Sequence, residues 1–154
     1  MCADTIPEVS EFGSVDPAPP GEIISIEEHR NILRDEKCRM FLRMRSLFSL
    51  RNIGGDEAVA ALCSGFSCSS ALLRHEIAYV LGQMQNDTAI PSLIDILSNA
   101  DEHVMVRHEA AEAMGAIGDQ SVRHILEKFL DDVNTEVSES CEVALDLLDY
   151  HKSD

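Results

Sequence analysis

The stretch Leu72-Leu73-Arg74-His75-Glu76-Ile77-Ala78-Tyr79-Val80-Leu81-Gly82-Gln83-Met84 sets the fold, because its pattern returns as Met105-Val106-Arg107-His108-Glu109-Ala110-Ala111-Glu112-Ala113-Met114-Gly115-Ala116-Ile117. The offset is 33 residues, the same from His75 to His108 as from Gly82 to Gly115. Inside the first copy, apolar residues recur at three- and four-residue intervals, as at Leu72, Leu73, Ala78, Tyr79 and Leu81. That spacing predicts a helix with one buried stripe. The register continues beyond the helix, since Leu93 matches Leu126 and Leu97 matches Leu130. Fainter copies flank the pair. Arg43-Met44-Arg45 leads to Leu50 and Ile53-Gly54 in the same layout, and Val137 to Leu145 resembles Val106 to Met114. A period in the low thirties with two helices per unit predicts an all-α superhelix, a solenoid of HEAT-like helix pairs that bury their stripes only by stacking.

Around these copies, polar breaks such as Asn52-Ile53-Gly54-Gly55, Gln85-Asn86-Asp87 and Gly118-Asp119-Gln120 separate the helices. First helices are predicted near 37–51, 70–84, 103–116 and 135–149, and second helices near 56–64, 88–98 and 120–130. A helix near 26–34 closes the N-terminal end. Asp87 is placed to cap a helix starting at Thr88, with Pro91 in its first turn. Gly82 and Gly115 lie inside first helices, where Gly costs about 1 kcal/mol against Ala, so their matched placement predicts close helix–helix approach. Met40, Met44, Met84, Met105 and Met114 read as core filler, and Asp131-Asp132, Asp146 and Asp149 as a solvated acidic face. Residues 25–152 form the repeat domain in this reading. Residues 1–24 read as a disordered acidic, Pro-rich leader, with Pro7, Pro17, Pro19 and Pro20 and five acidic residues but no Lys or Arg.

Composition narrows the function. With 28 acidic against 12 basic residues, the net charge is -16, which repels a nucleic-acid backbone and attracts a basic partner. With no Trp and 5% aromatics, the core must be aliphatic, which favours helix packing over a sandwich. No apolar run approaches membrane-spanning length, and no basic-then-apolar start marks a signal peptide. The five cysteines, Cys2, Cys38, Cys63, Cys68 and Cys141, include no CxxC pair, which argues against a zinc ribbon or a disulfide framework. They read as scattered, mostly buried thiols of a cytoplasmic protein. No GxxxxGK loop and no Ser-His-Asp spacing is present.

The repeated His-Glu dipeptide carries the chemistry. The period places His75 and His108 at equivalent positions on adjacent first helices, whose axes pack roughly 8–10 Å apart. Two inward imidazoles can then meet at one metal ion or a close pair. Neighbouring positions on a helix point about 100° apart, so one Glu can join its His while the other faces a substrate. Imidazole and carboxylate without thiolate suit Fe, Mn or Zn, and two His with one carboxylate is the donor set of non-haem Fe(II) oxygenases; His75, His108 and Glu109 can supply it. The spacing is not that of HExxH, since Tyr79 follows His75 at i+4 and Glu112 follows His108. Repeats also copy structural residues, and Arg74 and Arg107 can brace neighbouring helices through carboxylates. His29, His103, His124 and His151 have no repeat partner of their own type and read as surface or satisfied groups.

Four strings carry a family resemblance. Leu72 to Gln85 with Ala89-Ile90-Pro91, and Val106 to Gly118, resemble the two metal-binding segments of the deoxyhypusine hydroxylase family. Arg51-Asn52-Ile53-Gly54-Gly55, and Glu136-Val137 with Ser140-Cys141, are similar to it as well. The likeness covers residues 37 to 150, more than generic HEAT repeats would keep. It implies an oxygen- and iron-dependent monooxygenase that hydroxylates the deoxyhypusine side chain of a translation factor. It also implies His75, His108 and Glu109 as Fe(II) ligands, Glu109 and Glu76 as catalytic groups, and Glu76 as the holder of the substrate amine. The family carries four His-Glu dipeptides around a di-iron centre, two in each half. This chain has two, and Ser138-Glu139 stands where another would fall. Half a site is therefore expected, as a truncated form lacking a C-terminal half, as one side of a homodimer, or as a single-iron half. Two other readings compete: a non-catalytic HEAT adaptor for a basic protein, and a bilin-lyase-like HEAT protein, which the sparse aromatics disfavour.

Overall fold

A computed structural model describes residues 6–152, and among these every regular element is helical. The helices are α1 (Ile26–Arg34), α2 (Met40–Ile53), α3 (Gly55–Cys63), α4 (Ala71–Met84), α5 (Ile90–Ser98), α6 (Val104–Ile117), α7 (Arg123–Lys128) and α8 (Thr135–Lys152). Helices α2, α4, α6 and α8 are the first helices of successive units, and α3, α5 and α7 the second. The first helices stack in order, α4 on α6 and α6 on α8, while α5 packs against α6 and α7 against α8. The helical superhelix expected from the 33-residue period is therefore the observed fold.

Local chemistry starts and stops each helix. Ser25 accepts from the Glu28 amide while Glu28 reaches back to the Ser25 backbone, which closes a capping box on α1. Ser70 accepts from the Leu73 amide to cap α4, and His103 Nδ1 accepts from the Met105 amide to cap α6. Helix α6 ends on Gly118 at φ 81°. Helix α4 ends at the matching position on Gln85, a residue with a Cβ held at φ 50°. Its side chain donates to the Ala116 carbonyl across the interface at 2.8 Å, which offsets the cost of that backbone. The cap expected from Asp87 is supplied instead by Asn86, whose Oδ1 accepts from the Thr88 amide. Residues Asp87–Ala89 form one tight 3-10 turn before α5 begins at Ile90.

The core is mainly aliphatic, as the composition required, with Phe48 its one fully buried aromatic among the described residues. Leu47, Leu62, Leu73, Ile77, Leu81, Leu93, Leu97, Met114 and Leu126 have no exposed surface, and burying such a side chain contributes roughly 1.5–3 kcal/mol. Met105 departs from the expected core role, since it is 42% exposed. It lies three residues before His108, on the open face of α6. At Gly82 an added Cβ would sit 3.0 Å from the Ala113 Cα, and at Gly115 2.9 Å from the Ala144 Cα and Cβ. Both glycines thus mark the close approaches predicted for them, α4 on α6 and α6 on α8.

Arg43 on α2, Arg74 on α4 and Arg107 on α6 tie the units together. Arg43 Nε donates to the Leu33 carbonyl and Arg107 Nε to the Leu97 carbonyl, each ten residues back. Arg107 makes two bonds to Asp132, and Arg74 makes two to Glu102. Asp132 therefore leaves the solvated face on which the acidic run placed it, because the buried Arg107 guanidinium needs a carboxylate. Residues 6–24 hold no helix, yet part of this expected leader lies on α2. Asp16 pairs with Arg51 at 2.6 Å, the Gly21 amide donates to Ser49 Oγ at 2.7 Å, and Arg45 donates to the Pro20 carbonyl at 2.8 Å. The Arg51 guanidinium also lies over the rings of Phe12 and Phe48. Of the cysteines, Cys68 and Cys141 are buried and Cys38 and Cys63 half-buried, all four as free thiols. Cys2 lies outside the described residues. No helix among the described residues is long and apolar enough to cross a membrane.

Candidate metal centre

Stacking α4 on α6 brings the two dipeptides together. The imidazoles of His75 and His108 lie face to face, ring centroids 6.1 Å apart and planes within 25° of parallel. One oxygen of Glu109, Oε2, stands 3.1 Å from His75 Nε2 and 3.3 Å from His108 Nε2. The donor atoms of His75, His108 and Glu109 all lie within 4.8 Å of one another. Of the residues singled out in the sequence, these three converge. Glu76 turns to the other side of His75, with its Oε1 3.8 Å from His75 Nδ1. His29 is buried far from this centre, its Nδ1 3.1 Å from Ser46 Oγ, and His103 caps α6.

The electrostatics favour a cation at this point. Glu109, and after it Glu76, raise the pKa of His75 to about 10, although partial burial alone would lower it. A metal ion would satisfy both rings and the carboxylate at once. Donors held about 2.1 Å from an octahedral ion lie about 3 Å apart along each edge, close to the two separations seen here. Two imidazoles and one carboxylate, with no thiolate among them, fit iron in the chemistry of their donors as well. The three leave further coordination positions open.

Two groups beyond the predicted set complete the surroundings. Ser140 Oγ of α8 lies 2.8 Å from His108 Nδ1, and Glu112 Oε1 lies 3.2 Å from the same nitrogen. Glu112 is legible as the i+4 neighbour of His108, whereas Ser140 needed the register between α6 and α8. Beside the trio runs a groove of about 450 Å³, lined by Tyr79, Gln83, Glu109, Glu112, Val143 and Leu147 among others. Its walls are mostly apolar, with the carboxylates of Glu109 and Glu112 at the end beside the two imidazoles. Arg74 and Arg107, which flank the dipeptides, point into their carboxylate braces and not into this centre.

Known proteins share this arrangement of helices. A family model described as HEAT repeats matches residues 59–146, and one described as PBS lyase HEAT-like repeat matches residues 42–68. The chain is 54% identical to the deoxyhypusine hydroxylase of Danio rerio over 142 residues, covering 92% of this chain and 47% of that protein. It is 51% identical over 146 residues to the deoxyhypusine hydroxylase-B of Oryza sativa subsp. japonica, covering 94% and 48%. A solved structure of human deoxyhypusine hydroxylase in complex with glycerol superposes with a TM-score of 0.90 at 47% identity, covering 94% of this chain and 50% of that one. The chain spans about half the length of the curated relatives it matches. The resemblance drawn from four short strings thus extends along almost the whole chain. It favours the hydroxylase reading over a non-catalytic adaptor.

Proposed function

The chain belongs to the HEAT-repeat family, and on that footing we propose that it is an iron-binding part of a deoxyhypusine hydroxylase. The single observation that carries this reading is the Glu109 oxygen shared between the Nε2 atoms of His75 and His108. In this reading His75, His108 and Glu109 hold one Fe(II). Bound iron supplies the activation of molecular oxygen for hydroxylation of an unactivated carbon.

The chain's own residues bind and orient the substrate. Deoxyhypusine is a lysine extended by an aminobutyl arm, so it is a long alkyl chain bearing positive charge. The groove offers apolar walls from Tyr79, Val143 and Leu147 and negative charge from Glu109 and Glu112. Glu76, on the other side of His75, pairs with a substrate ammonium and fixes how far the chain advances. Packed helices on one side of the trio shield Glu109, which is only 8% exposed, while the two imidazoles keep a partly open edge. The protein substrate is a translation factor carrying the modified lysine, and the setting is the cytoplasm, which suits four free thiols. In a di-iron centre the remaining ligands come from a second copy of the chain or from the other half of a longer protein.

The test is iron content with particle mass. Protein loaded anaerobically with Fe(II) and desalted is expected to hold close to one iron per chain. His75→Ala or His108→Ala should lower this at least about tenfold. Iron content unchanged by both substitutions would remove the reading. Mass in solution, measured on the same samples, separates a pair of chains from a single half.

A further inference from the structure

The two imidazoles are held differently. His75 reaches Glu109 across the helix interface through Nε2, and its Nδ1 has Glu76 of its own dipeptide at 3.8 Å. His108 is gripped on its far side as well. Its Nδ1 is 2.8 Å from Ser140 Oγ on α8 and 3.2 Å from Glu112 Oε1 one turn along α6. Ser140 Oγ in turn donates to Glu112 Oε1 at 3.3 Å. Ser140 is 5% exposed, and a buried hydroxyl with two partners has little freedom to turn.

An imidazole swivels about its ring bond and can present either nitrogen. A metal ligand must present an unprotonated nitrogen, and the partner of the opposite nitrogen decides which one that is. We propose that Ser140, with Glu112 behind it, is a positioning residue that clamps the His108 ring so that Nε2 faces the ion shared with His75 and Glu109. Nδ1–H donates to Ser140 Oγ, the Ser140 hydroxyl donates to Glu112, and Nε2 keeps its lone pair for the cation. The clamp ties the site to a third unit, α8, which supplies no ligand. It rests on the metal-centre reading above, and it adds that α8 sets the affinity.

The test uses the full chain and Zn(II) as a diamagnetic probe. Affinity is read by calorimetric titration, and ring protonation by histidine side-chain NMR of the loaded protein. Ser140→Ala is expected to weaken Zn(II) binding about 10- to 100-fold and to abolish the slowly exchanging His108 Nδ1–H signal. Ser140→Thr keeps the hydroxyl and is expected to retain both within a fewfold. Thermal midpoints of the metal-free proteins check that both variants fold. Ser140→Ala within about twofold of the unsubstituted chain, or Ser140→Thr as weak as Ser140→Ala at equal midpoints, overturns the clamp and leaves the three ligands standing. If the unsubstituted chain takes up no Zn(II), and His108→Ala changes nothing, the metal centre itself is wrong and the clamp falls with it.

Discussion

Helices α2 and α6 carry the same buried arginine and differ in the two residues after it. Arg43 and Arg107 bond a carbonyl ten residues back through Nε in the same way. The next two residues are Met44-Arg45 on α2 and His108-Glu109 on α6. On α6 that face is partly open and gathers His108 and Glu109 against His75 of α4. On α2 the same face is covered by the chain itself, because Arg45 holds the Pro20 carbonyl and Ser49 holds the Gly21 amide. These two units therefore separate the arginine from the pair that follows it within three consecutive residues. The arginine stacks the units, and the pair after it is free to bind a metal or to bind the protein's own N-terminal segment.

The braces themselves give the largest expected effect on this division of labour. Arg107→Met leaves Asp132 buried without its cation, and removing one partner of such a pair costs about 3–5 kcal/mol. Arg43→Met removes a brace whose acid, Glu36, is half exposed and already serves the Ser69 amide and hydroxyl. It is expected to cost clearly less. Urea unfolding of the two variants measures the difference, and equal costs would show that the arginines are not ranked by the burial of their acids.

The glycines come next. Gly115→Ala pushes a Cβ into the Ala144 Cα and Cβ, and such overpacking costs typically about 1–3 kcal/mol. Gly82→Ala meets Ala113 at slightly longer range and is expected to cost less stability. It separates α4 from α6, however, and so widens the gap between His75 and His108. Thermal unfolding should rank Gly115→Ala as the costlier, while Fe(II) uptake is expected to fall in both, in Gly82→Ala through the His75–His108 gap and in Gly115→Ala through the Ser140–His108 contact.

The smallest effect concerns the covered face of α2. Burial alone would raise the Asp16 carboxyl, and bonds from Arg51 and Ser14 outweigh it, leaving the group below the usual 3.8. A depressed carboxyl pKa contributes stability that is complete above 3.8 and lost as pH falls through the lower folded value. The 16–21 segment is thus expected to loosen only in strong acid, and Asp16→Asn to loosen it at neutral pH. Hydrogen-exchange protection of the Gly21 amide reports both. Protection unchanged in Asp16→Asn would mean that Arg51 does not anchor the segment.

Much of this is legible in the sequence alone. The 33-residue offset places His75 and His108 on neighbouring helices, and the matched glycines announce the close approaches. The hidden part depends on contacts between units. The Asp16–Arg51 pair joins residues 35 apart, outside any local pattern. Asp132 looks like one of a solvated run until a buried guanidinium requires it. Met105 satisfies the helical period, yet the stripe it belongs to faces outward beside the site. Ser140 carries no chemistry that its own neighbours reveal, and only the seating of α8 on α6 aims it at an imidazole.

The shared Glu109 oxygen has a consequence for biosynthesis. His75 leaves the ribosome 33 residues before His108, and neither unit alone carries the full trio. Only when α6 has docked on α4 does the trio exist. Under the metal-centre reading, ion capture therefore waits for the docking of α6 on α4, and a chain still short of α6 holds an incomplete donor set.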